Sequence, residues 1–133
     1  MEPVNFHVGE DDYQLIPHTG FSAINLDRKV TGLIGRFIDG TSDVINAASA
    51  FSLLAGVFES YSDSDFKWIV EETLKNVTVT TAGKKSVRLS DMDQISIHFA
   101  KQYPNLYAVL FEVWRLEEFS PFAMAPQTEQ SGS

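Results

Sequence analysis

Between Asp43 and Glu59 lies the longest stretch of this chain without a charged side chain, Val44 to Phe58. Wound as a helix, it places Val44, Ala47, Ala48, Phe51, Leu54, Ala55 and Phe58 on one stripe and Ile45, Leu53 and Val57 on a second. At about 15 residues, interrupted by Asn46, Ser49 and Ser52, it is too short and too polar to span a membrane. A helix that is apolar on two sides needs cover from more than one neighbour. The segment from about Asp43 to Tyr61 is therefore expected to be the central helix of a small globular domain.

The rest of the chain is large enough to supply that cover. It has 133 residues, 44% of them hydrophobic and 21% charged, close to the average soluble domain. There are no cysteines, which excludes disulfides, thiolate metal sites and cysteine nucleophiles and makes a reducing cytoplasm the easier home. A formal charge of −8, from 18 acidic against 10 basic residues, argues against nucleic acid or an anionic membrane as the main partner. Met1-Glu2-Pro3 lacks the basic start and apolar run of a signal peptide.

Val4, Phe6 and Val8 alternate with Asn5 and His7, Gly9-Glu10-Asp11-Asp12 is turn chemistry, and Tyr13 to Ile16 reads as a returning strand ended by Pro17. From about Thr19 to Ile38, the set Phe21, Ile24, Val30, Leu33, Ile34, Phe37 and Ile38 falls mostly at helical spacing. Gly32 and Gly35 inside it suggest a close approach of another backbone. Ser62-Asp63-Ser64-Asp65 offers a cap and first-turn acids for a third helix, whose inward face is Phe66, Ile69, Val70, Thr73, Leu74 and Val77. Val77 to Thr81 and Ser86 to Leu89 suggest a second small hairpin. Ser90 caps a helix that stops before Pro104, and Asn105 to Phe119 is the last helix. The fold class expected is α+β, mostly α, with about five helices and an N-terminal β-hairpin. Residues 1–119 read as one domain and residues 120–133 as a flexible tail.

No arrangement of residues carries catalysis. The histidines His7, His18 and His98 have no third metal ligand nearby, and His98, beside Ile95 and Phe99, reads as a packing residue. Asp63 and Asp65 have the opening spacing of a calcium loop, but Lys67 takes the third ligand position and the closing glutamate is missing. There is no glycine-rich phosphate loop. No catalytic residue, metal or cofactor is expected.

Apolar surface beyond the needs of a core is more informative. In the last helix Leu106, Val109, Leu110 and Val113 form one stripe, and Tyr107, Phe111 and Trp114 a second beside it. Trp68 projects from the face of the third helix opposite Phe66, and Phe119 opens an apolar run through Pro121, Phe122 and Met124. Aromatic residues of this kind are favoured at contact hot spots. Trp68, Tyr107, Phe111, Trp114 and Phe119 are the candidate partner-binding residues.

Four stretches in order, Phe6 to Pro17, Phe66 to Leu74, Leu89 to Gln94 leading to His98-Phe99, and Asn105 to Val113 followed by Phe119 to Phe122, resemble the tail assembly chaperones of tailed bacteriophages. The resemblance covers about residues 4 to 122. It implies a non-enzymatic, oligomeric chaperone that binds and keeps soluble the tape measure protein until the tail tube protein polymerises around it. It further implies action in the host bacterial cytoplasm, absence from the mature virion, and in many phages a longer frameshifted product. Beside that reading, an acidic secretion-type chaperone or adaptor and a structural tail completion protein of the virion stay open as alternatives.

Overall fold

The computed structural model describes residues 2–35, 47–81 and 85–123, with the side chains of 47–50 left aside. In chain order the elements are β1 (Val4–Val8), β2 (Asp11–Leu15), α1 (Gly20–Ile34), α2 (Ala47–Phe58), α3 (Asp63–Leu74), β3 (Val77–Thr80), β4 (Ser86–Arg88), α4 (Met92–His98), α5 (Tyr103–Leu116) and α6 (Ser120–Ala123). This is the α+β, mostly helical class expected, with six helices among the described residues. The parts of the first two expected helices that fall in residues 36–46, and the tail beyond residue 123, lie outside the described residues.

Both hairpins form, and they join. The sheet order is β1-β2-β3-β4, antiparallel throughout, with Tyr13 opposite Phe6 on one side and Val79 on the other. Alternation makes this possible: Tyr13, Leu15, Val77 and Val79 point to one face and are buried, while Asn5, His7, Asp12 and Gln14 point to solvent. The β1–β2 turn requires its glycine. Gly9 has φ +63, and a Cβ there would sit 3.2 Å from the Asn105 side-chain amide at the start of α5.

Three helix termini explain the local boundaries. Ser62 accepts a hydrogen bond from the Asp65 N–H and caps α3, with Asp63 and Asp65 at the positive end of its dipole. At α4 the cap is Asp91, which accepts from the Gln94 N–H, so Ser90 lies one residue outside the position expected for it. Pro104 does not follow a helix but sits in the first turn of α5, where a missing N–H costs nothing.

The central helix is α5 rather than α2. Val109, Leu110, Val113 and Trp114 are fully buried, and Ala108 and Phe111 nearly so, with α2, α3 and β1 packed around them. The Trp114 indole N–H donates to Thr73 Oγ1 at 3.0 Å, so the largest core side chain leaves no buried donor unpaired. α2 packs along one side of α5, burying Leu54 and Phe58. Leu53 and Val57 remain half-buried, and Phe51, Ser52 and Gly56 are exposed. Its charge-free sequence does not demand full cover because much of its outer side is serine and glycine.

The end of α5 is clamped by a buried ionic node. His18, between β2 and α1, faces an acceptor at each ring nitrogen: Nδ1 meets the Glu117 carboxylate and Nε2 donates to the Glu72 carbonyl at 2.7 Å. Its own backbone N–H donates to Glu117 Oε1 at 2.9 Å. An imidazole with two acceptors must carry both protons. Burial alone would push its pKa down, but the hydrogen bond and charge of Glu117, with the Glu72 carbonyl, hold it above the ordinary value.

The first four residues of the expected tail are folded as α6. Ser120 donates from its N–H and its hydroxyl to the two Asp27 carboxylate oxygens, and the Phe122 ring meets Phe111 edge-on at 5.1 Å.

Candidate partner-binding surface

Buried in the core or open to a partner: the five aromatics divide on that point. Phe111, Trp114 and Phe119 are 3%, 0% and 4% exposed. These three support the fold, because both stripes of α5 are covered, one side by α2 and the others by α3 and β1. Trp68 and Tyr107 are half-buried and reach the surface in two adjoining places.

Trp68 lines a groove between α1 and α3, about 420 Å³ in volume, together with Asn25, Lys29, Tyr61, Ser64, Asp65 and Ile69. The Lys29 ammonium stands 5.7 Å from the centre of the Trp68 ring, within cation–π range. Tyr107 belongs to an aromatic cluster across α2 and α5. Its ring centre lies 5.4 Å from that of Phe51 and 6.1 Å from that of Phe58. Phe58 in turn touches Tyr61 at 5.6 Å, so the cluster runs without a break into the α1–α3 groove.

Phe21 and Ile24 add exposed apolar surface on α1, although the sequence grouped them with Val30, Leu33 and Ile34 in one helical set. They are 77% and 66% exposed, whereas Leu26, Val30, Leu33 and Ile34 of the same helix are buried. Phe21 precedes Val30 by nine residues. That separation is about two and a half helical turns, which puts the two on opposite sides of α1. Phe21 lies one turn before Asn25, which lines the groove, so it stands on the same side of α1 as that lining residue, with Ile24 exposed beside it on the helix. Nothing among the described residues approaches the Cβ position of Gly32, and Gly35 meets only its own helix at Thr31, so the expected close backbone approach is absent from this part of the structure.

The two helices that border the groove are pinned together. Ser22 Oγ donates to Glu72 Oε2 at 3.0 Å, and Lys75 Nζ donates to the same oxygen at 2.7 Å. Burial would raise the Glu72 pKa, but Lys75 and Ser22, with the charge of His18, hold it below the usual carboxylate range. The start of α1 is thereby tied to the end of α3, and a partner would meet a preformed surface.

Elsewhere the chemistry is structural. Tyr13 Oη lies 2.9 Å from His98 Nε2, and Asp11 Oδ2 lies 3.4 Å from the same nitrogen, which ties the first hairpin to α4. Burial pushes the His98 pKa down, against the opposing charge of Asp11. Burial, then Asp11, raises the Tyr13 phenol well above its ordinary range. Among the described residues no three potential metal ligands come together, and no helix is long and apolar enough to cross a membrane.

No curated protein and no solved structure matches this chain. A family model does, over residues 9–126, from the β1–β2 turn through α6, and it describes the phage tail assembly chaperone protein, TAC. A match over that much of the chain, through every helix and strand but the first, shows that the protein belongs to the phage tail assembly chaperone family.

Proposed function

We propose that this chaperone of phage tail assembly acts by holding helical segments of the tape measure protein on the α1–α3 groove and its aromatic extension. The observation that carries the reading is the groove holding Trp68, bordered by α1, a helix that buries Leu26, Val30, Leu33 and Ile34 but leaves Phe21 and Ile24 exposed. Burying such a side chain against a partner is worth about 1.5–3 kcal/mol. A client helix with apolar residues at i, i+3, i+4 and i+7 offers a matching row. Trp68, Tyr107, Tyr61 and Phe51 supply the aromatic floor, and Phe111, Trp114 and Phe119 support it from beneath.

Several copies along one long client would turn modest single-site affinity into strong avidity. An acidic surface would keep the assembly dispersed until the tail tube protein displaces it. The reading is non-enzymatic. It places the protein in the host bacterial cytoplasm and outside the finished virion, as the resemblance implies.

The test is co-expression with the long helical protein encoded just downstream. Wild-type chain should bring that protein into the soluble fraction at many copies per client. Phe21→Ser/Ile24→Ser should lose this while melting at an unchanged temperature. Full solubilisation by the double variant would overturn the assignment of the groove.

A further inference from the structure

The four-stranded sheet ends in two edges with opposite character, and among the described residues no strand lies outside either. One row of side chains crosses it on the inward face: Phe6, Tyr13, Val79, Val87. Its two middle members are each 2% exposed. Its ends are not closed: Phe6 on β1 is half-buried and Val87 on β4 is 39% exposed.

The charges at the two edges are complementary. β1 is flanked by Glu2 and Glu10, and β4 is flanked by Lys85 and ends in Arg88, all four exposed. The Arg88 guanidinium donates to the Lys75 carbonyl at 2.8 Å and to Asn76 Oδ1 at 3.3 Å, neutral acceptors that fix it at the edge without cancelling its charge.

We propose that β4 of one copy pairs with β1 of a second copy, extending the sheet head to tail. β1 and β3 run one way and β2 and β4 the other, so a second copy's β1 set beside β4 continues the antiparallel alternation. With Val87 opposite Phe6 of the second copy, the inward row closes. Lys85 then stands diagonal to Glu10, within reach of a long side chain. Pairing of like edges is disfavoured: β4 against β4 sets Lys85 and Arg88 among their own kind, and β1 against β1 does the same for Glu2 and Glu10. Short, charged edge strands ordinarily guard against association. Here the charges bar two of the three pairings and favour the third. Because the two surfaces differ, the contact is heterologous and can repeat along a row of copies. The β4 strand has three residues, so each junction is weak and is strengthened by repetition.

The absence of native cysteines makes the test clean. His7 and Ser86 are exposed, face outward, and become direct neighbours in this register. Under mild oxidation, purified His7→Cys/Ser86→Cys should give a ladder of dimers, trimers and higher species on a non-reducing gel, and either single variant at most a dimer. Adding Lys85→Glu should reduce the ladder about fivefold, and adding Glu10→Lys to that variant should restore it. No ladder, dimers alone, or a ladder indifferent to Lys85→Glu would overturn the proposal. The experiment uses the chain alone, so its outcome is separate from client binding.

Discussion

α2 and α5 lie against each other and are both strongly apolar, yet one is interior and the other is surface. α5 carries Val, Leu, Phe and Trp around its circumference, and leaving any of them in water would cost about 1.5–3 kcal/mol. α2 has a higher average apolarity, but its exposed positions include Ser52 and Gly56, which lose little in water. The helix with large apolar side chains over more than half of its circumference takes the centre, whatever the average says. The clamps follow the same division: Trp114 bonds Thr73, and His18 holds Glu117 at the residue that ends α5.

Substitutions on the two helices should differ sharply. Trp114→Ala removes the largest core side chain and strands Thr73, and should lower unfolding free energy by about 3–5 kcal/mol in urea titration. Glu117→Gln weakens the clamp on α5 and should cost about 2 kcal/mol, the scale of a hydrogen bond to a charged group.

That clamp also has a pH signature. The folded His18 pKa lies above its ordinary value of 6.5, so the native state holds the proton more tightly than the unfolded chain. The resulting stability is complete below pH 6.5 and lost as pH rises through the folded value. The urea midpoint should therefore fall on going from neutral to mildly alkaline solution, and Glu117→Gln should flatten that fall.

On α2 the effects should be small. Phe51, 38% exposed, should cost no more than about 1 kcal/mol on truncation to Ala. Gly56→Ala should raise stability by about 0.5–1 kcal/mol, since an added Cβ meets nothing among the described residues and helical glycine is entropically costly. A large loss from either would show α2 to be more deeply packed than its exposure indicates.

The locally encoded parts of the fold were legible. Alternation marked the first hairpin, Ser62 marked the start of α3, and β-branched residues marked β3. What joins the hairpins was not, because Tyr13 and Val79 pair across about half of the chain and no local pattern signals it. Of the five aromatics singled out in the sequence, only Trp68 and Tyr107 reach the surface proposed as the site. Two apolar stripes on one helix do not reveal that both are covered, which is why Phe111 and Trp114 were expected at a contact surface. Phe21 and Ile24 were missed for the opposite reason: they were grouped with Val30 and Leu33, although helical arithmetic sets them on the far side of α1. The His18–Glu117 pair, 99 residues apart, had no sequence signal at all.

The claim that α5 is scaffold while α1, α3 and α2 present the working surface is tested most directly by hydrogen exchange with and without the tape measure protein. Binding should slow exchange in peptides covering residues 20–29, 51–58 and 61–69, and leave the sheet and the already protected α5 unchanged. Protection confined to the sheet or α4, with α1 and α3 exchanging as in the free protein, would contradict the account.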